Sequence, residues 1–199
     1  MTIGTTIGHL LLLSALLLYV LPLQRLSPLP RGVAAALCIG IGLLRISDLR
    51  LIGYPAGVLG DLSVTTQVLL ACALVKQLAG IDVLPPRDRD FLLVAAAWTG
   101  LLLYSLSSGL TPLDVYSLGF GSAAFIVLLA LAVITCWYYR PGAALVLLLG
   151  VLAFELGLLP SANAWDYLLD PALVLFGWGW VLAIALRRSR SPQRSPRPT

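Results

Sequence analysis

Six ionisable side chains, Arg45, Asp48, Arg50, Asp61, Glu155 and Asp166, are the residues of this sequence most able to do polar chemistry. Four of them fall in one stretch, RISDLRLIGYPAGVLGDLSVTTQ (45–67), the only part of the hydrophobic two-thirds where charges of both signs, glycine, proline and hydroxyl side chains crowd together. Arg45, Asp48 and Leu49 stand at i, i+3 and i+4, so an Arg–Asp pair on one helix face is an expectation of the spacing. Asp61 precedes an apolar run with Ser63 two residues on, which fits a helix N-cap as well as a polar site. Ser63, Thr65, Thr66 and Gln67 follow in the first two turns of that run, where hydroxyls bond to their own backbone or to a neighbouring helix. Glu155 interrupts an otherwise apolar run, and an acid inside a membrane span calls for a partner or a wet cavity. Asp166 belongs to WDYLLDP, a loop that is acidic and aromatic with no base.

Most familiar chemistries lack their residues. The sequence contains no GxxxxGKS phosphate loop, no HExxH, no GxSxG and no Cys/His cluster with metal-ligand spacing. His9 is the only histidine, and Cys38, Cys72 and Cys136 lie far apart, each in an apolar run, so they read as buried free thiols. No metal or cofactor is expected. Paired carboxylates could serve acid–base work, but the acids are scattered over four connections with no motif spacing. Gly53 and Gly57 form one GxxxG, and Pro55 between them argues for a bend.

The elements that would position these residues are long apolar segments. Of 199 residues 59% are hydrophobic and 11% charged, against roughly 25% charged in a soluble protein. The expected fold class is all-α, a polytopic transmembrane helix bundle of six or seven spans. The apolar runs are 5–23, 32–44, 61–76, 90–107, 122–139, 143–159 and 172–186. The second is short of the ~20 residues that cross a bilayer; it either continues through Arg45 and Asp48 or is broken, with the break near Gly53–Gly57. The connector QRLSPLPR before it carries two prolines and reads as a loop. Residues 1–186 form the transmembrane domain, and 187–199 a basic, Ser/Pro-rich tail expected to be disordered and cytoplasmic.

Seven spans with a cytoplasmic tail put Arg25, Arg31, Lys76, Arg87, Arg89, Arg140 and five tail arginines inside, and only Arg45 and Arg50 outside. Eleven against two satisfies the positive-inside rule and places the N-terminus outside. Asp48, Asp61, Asp114, Glu155, Asp166 and Asp170 all collect at the outer end, a segregation that the orientation rule does not impose. An Ala/Leu/Arg-rich composition suggests a bacterial plasma (inner) membrane. The basic balance is mostly a tail property, so nucleic acid is not an expected partner; membrane lipids and a membrane or extracytoplasmic protein are. Three functional classes follow in decreasing order: a non-catalytic accessory or scaffold component of an envelope system, docking through its acidic, aromatic outer face; a small transporter or channel with a polar path near Arg45, Asp61 and Glu155; and an intramembrane enzyme acting on a lipid-linked substrate at the outer leaflet.

Overall fold

The computed structural model describes residues 2–20, 27–46, 49–109 and 112–189. Among them the chain is helical except for one ribbon of two-residue strands. In order come α1 (Ile3–Val20), α2 (Pro28–Leu43), β1 (Arg45–Ile46), β2 (Leu49–Arg50), α3 (Gly53–Leu59), α4 (Val64–Ala79), α5 (Pro86–Leu106), a 3-10 turn (Tyr116–Gly119), α6 (Ala123–Tyr139), α7 (Pro141–Glu155), α8 (Trp165–Leu168) and α9 (Pro171–Ser189).

The helix starts follow from residue chemistry. Proline stands in the first turn of α2, α5 and α7 and opens α9. There the missing N–H is one that no helix satisfies, and the fixed φ is already helical. Ser63 and Ser122 cap α4 and α6, their hydroxyls accepting from Thr66 N and Phe125 N. Gly80 closes α4 in the left-handed conformation, φ 74°, which glycine adopts without a Cβ penalty.

Four expectations are corrected here. The prolines of the 25–31 connector do not keep it out of a helix: Pro28 and Pro30 begin α2, where proline costs nothing. Of the two alternatives open for the second run, the shorter one holds: α2 stops at Leu43. The chain turns back in a ribbon instead, with Leu51 N bonding Leu44 O at 2.8 Å and Ile52 N bonding Gly42 O at 3.3 Å. Gly53–Leu59 is itself a short helix, with Pro55 tolerated in its first turn, so the break precedes Gly53. The cap of α4 is Ser63 and not Asp61. The expected tail begins as helix, since α9 runs through Ser189; residues 190–199, like Arg25 and Asp48, lie outside the described residues.

The seven long helices alternate in direction. Thr5 meets Asp61 at the start of α1, and Gln77 near the end of α4 reaches Leu18 O near the end of α1, so those two run parallel. Gly42 of α2 sits against Leu10 and Leu13, antiparallel to α1. α5 and α9 form the closest pair: a Cβ on Gly100 would lie 2.1 Å from Val174 Cγ2, and one on Gly177 would lie 2.5 Å from the Leu93 carbonyl oxygen. Small residues let helix backbones approach in this way, and Trp98 and Trp178 add an edge-on ring contact with centroids 4.8 Å apart.

The outside of the bundle is apolar. Ile126, Val127, Leu128, Leu131 and Ile134 of α6, and Leu175, Phe176 and Leu182 of α9, are each more than half exposed. Two helices, α5 and α9, are long and apolar enough to cross a membrane; their 21 and 19 residues rise about 32 and 28 Å. The other long helices are equally apolar but shorter, 15 to 18 residues.

Candidate functional site

Polar side chains gather at the end of the bundle where α1, α4, α6 and α9 begin, here the upper end. At its centre is Asp170, 3% exposed, the residue before Pro171. Its Oδ1 accepts from Leu173 N at 2.8 Å, capping α9. Its Oδ2 accepts from Ser63 N at 3.0 Å, from Ser63 Oγ at 2.6 Å and from Thr66 Oγ1. One carboxylate therefore holds the N-termini of two helices, where unpaired amides and the positive ends of both helix dipoles favour an anion.

A second cluster joins the α5–α6 connection to the α7–α9 connection. Asp166 accepts from Tyr116 Oη at 2.8 Å and from Ser161 Oγ at 2.5 Å. Asn163, fully buried, donates to Tyr116 O at 2.9 Å and accepts from Trp165 N at 2.9 Å, while Trp165 Nε1 donates to Val115 O at 3.1 Å. Gly119 is required by this fit, since a Cβ there would fall 1.9 Å from Asn163 Oδ1. Tyr167 Oη donates to Leu159 O at 2.8 Å and accepts from Leu159 N at 3.1 Å. Burial, then the hydrogen bond and charge of Asp166, push the Tyr116 phenol up to about 12.

The remaining sequence candidates do not converge. Asp61 accepts from Thr5 Oγ1 at 2.5 Å, bracing the start of α1. Arg45 and Arg50 are exposed and face each other across the ribbon, Cα partners in its register. Among the described residues neither forms an ion pair with Asp61, Glu155 or Asp166. Glu155 is exposed at the last residue of α7, beyond the buried depth its position in an apolar run implied. His9 is fully buried with Nδ1 donating to Thr5 O at 2.8 Å, and among the described residues its Nε2 has no hydrogen-bond partner.

The sequence marks Asp170 and Tyr167 only as members of the outer acidic and aromatic set, and it does not mark Asn163 or, at the opposite end, Asp88. Asp88 is 5% exposed, and its Oδ2 accepts from Gly142 N at 2.8 Å, tying α5 to the first turn of α7. The Asp170-Pro171 pair before an apolar run is the helix-start signature and marked the cap, though not its second helix. The lower end also holds the local pairs Lys76–Asp82 and Arg89–Asp90, both 2.8 Å.

Two apolar clefts flank α6. One, of about 370 Å³, lies between α5 and α6 and is floored by Thr65 of α4, Leu147 of α7 and Trp165 and Leu168 of α8. The other, of about 450 Å³, lies between α6 and α7 and has Glu155 at its upper end. Among the described residues no three His, Cys, Asp or Glu side chains are grouped as metal ligands are. The arrangement thus offers a self-satisfied polar cap above clefts suited to hydrocarbon. The chain matches no protein-family model, no curated protein and no solved structure.

Proposed function

We propose that the chain is a multi-span protein of a bacterial plasma (inner) membrane, with its N-terminus outside and its C-terminus in the cytoplasm. It acts there as a non-catalytic accessory or scaffold component of an envelope system. Membrane embedding is supported by the exposed Leu, Ile, Val and Phe of α6 and α9, since soluble monomers rarely expose contiguous apolar surface beyond a few hundred Å². The alternation of seven long helices favours seven spans, with helices shorter than ~20 residues accommodated by thinning of the bilayer or by snorkelling flanks. Arg31, Lys76, Arg87, Arg89, Arg140 and Arg187 at the lower end favour that end as the cytoplasmic one.

The observation that carries the scaffold reading is the use made of the upper-end acids. Asp170 is saturated by two amides and two hydroxyls, and Asp166 by two hydroxyls. These groups fix two helix starts and two connections into a firm plate. On that plate Phe120 is 60% and Leu156 63% exposed, beside the exposed Glu155. Such a surface suits a membrane or extracytoplasmic protein that brings apolar and basic side chains.

The test is site-specific photo-crosslinking in living cells. A crosslinking residue in place of Phe120 should give one discrete protein adduct that Glu155→Lys abolishes. A residue in place of Tyr138, 79% exposed near the other end of α6, should not give that adduct. Equal adducts from both positions, or none from Phe120, refute the docking face.

A further inference from the structure

The α6–α7 cleft ends against a carboxylate that the fold itself does not use. Glu155, the last residue of α7, is exposed and makes no hydrogen bond or ion pair among the described residues. Every other described acid has a partner. Asp61, Asp88, Asp114, Asp166 and Asp170 accept from hydroxyls or amides, and Asp82 and Asp90 pair with Lys76 and Arg89. Glu155 also stands at the wrong helix end for its charge: the last carbonyls of α7 and the negative end of its dipole disfavour an anion and favour a cation. Helix period places it on the cleft. Leu148, Val151 and Glu155 stand at i, i+3 and i+7, on one face of α7, and all three line the cleft. The α6 wall opposite is the stripe Ile126, Leu129, Ala130, Val133 and Ile134, without a polar side chain.

We propose that this cleft binds a single-chain amphiphile with a cationic head, its ammonium against the Glu155 carboxylate and its hydrocarbon tail along α6. The site uses the carboxylate at the edge of the docking plate but needs neither a protein partner nor the orientation given above. Charge selects the head. Among the described residues Glu155 is the only lining residue with a polar side chain, so an anionic head meets repulsion and an uncharged one lacks the attraction. Size and direction select the tail. The cleft's volume of about 450 Å³ falls in the range of roughly 300–1,000 Å³ found for small-molecule sites. Its α6 wall rises about 12 Å from Ile126 to Ile134. Since α6 begins and α7 ends at the upper end, the carboxylate stands at one end of an apolar trough that runs down the bundle. Gly121 lines the same end, and nothing lies within 4 Å of a Cβ added there, so a bulky head has room. A ligand seated in this way has its head at the bundle's polar end and its tail among apolar side chains, as an amphiphile stands in a bilayer.

The full chain in neutral maltoside micelles is photolabelled with dodecyltrimethylammonium carrying a diazirine in mid-chain, and adducts are mapped by mass spectrometry. Labelling at Val133 and Leu148, which line the cleft, is expected severalfold above that at Leu182, exposed on α9 and outside it. Glu155→Gln keeps the shape and removes the charge. At an exposed helix end it should leave the thermal midpoint unchanged and reduce the excess about fivefold, the upper range for an exposed ion pair. The same chain with a hydroxyl head gives the comparison on the unaltered protein; its excess should be smaller and should not respond to Glu155→Gln. Ala130→Phe, at an exposed residue of the α6 wall, should fill the cleft and bring both positions to the Leu182 level. Tetramethylammonium, the head without the tail, should not protect at concentrations where unlabelled dodecyltrimethylammonium does. Labelling of Val133 and Leu148 no higher than that of Leu182 overturns the site. An excess shared equally by both heads, or undiminished in Glu155→Gln, overturns the cationic head. Protection by tetramethylammonium overturns the part given to the tail.

Discussion

Removing Asp170 should unfasten the upper end of the bundle more than removing any other acid there. In Asp170→Ala the hydroxyls of Ser63 and Thr66 can turn to each other, being already 3.1 Å apart. The amides of Ser63 and Leu173 cannot turn. Ser63 is fully buried, so water does not replace the carboxylate without prising α4 from α9. Each stranded amide costs about 1–3 kcal/mol, which gives about 3–5 kcal/mol for the pair with the lost cap included. Asp170→Asn keeps one acceptor oxygen, but its NH2 must confront either the three donors on one side or Leu173 N on the other, for about 2–3 kcal/mol. Asp166→Asn serves as the comparison. Its donors are the rotatable hydroxyls of Tyr116 and Ser161 in a half-buried setting, and it should cost about 1 kcal/mol or less. Thermal melting in detergent, followed by circular dichroism, should lower the midpoint of Asp170→Ala by about 10 °C. A midpoint within about 2 °C of wild type, or a larger loss in Asp166→Asn, would refute the role given to Asp170.

Two further outcomes use the same assay. Gly177→Ala should destabilise by about 1–3 kcal/mol, because the new methyl meets the Leu93 carbonyl at 2.5 Å and forces α5 and α9 apart. Gly179→Ala, with nothing within 4 Å of the added carbon, should be neutral or stabilise by up to about 1 kcal/mol through helix propensity. Tyr116 makes stability depend on alkaline pH. Its phenol titrates at about 12 in the folded chain and near ~10 when unfolded. Between those values the folded state keeps a proton that the unfolded state has released, so the contribution is complete below pH ~10 and lost as pH rises toward ~12. Denaturant midpoints measured across that window should fall with pH in wild type and fall less steeply in Tyr116→Phe.

Where helices lie was largely legible, because an uninterrupted apolar run of span length has few other folds open to it in lipid. The run at 122–139 became Ala123–Tyr139, and that at 90–107 became Pro86–Leu106. The errors cluster at prolines and in 45–67. A proline forbids a helix interior and favours a helix start, and only the residues after it decide which applies. At Pro28 and Pro30 the apolar run begins at once, so the start reading was available. The ribbon after α2 was not, for Ile52 returns to Gly42 and packs there with Leu10 and Leu13 of α1. That contact depends on another helix, and no local period in the sequence encodes it.

The acids present a different problem, because a sequence names acceptors without naming the donors opposite them. Asp170 meets Ser63 and Thr66 across 107 and 104 residues, and Asp166 meets Tyr116 across 50. Among the described residues Arg45 and Arg50 are the only arginines or lysines on the same side, yet the carboxylates there take amides and hydroxyls. Helix direction accounts for this choice. A helix start presents unpaired N–H groups and a positive dipole end, and an acid there needs no cation. Four of the seven long helices start at the upper end and three at the lower, where Asp88 serves α7 in the same manner as Asp170 serves α4 and α9. The concentration of acids at one end therefore follows in part from where helices begin. An acid that caps such a start is bound to its own fold before it can serve a ligand.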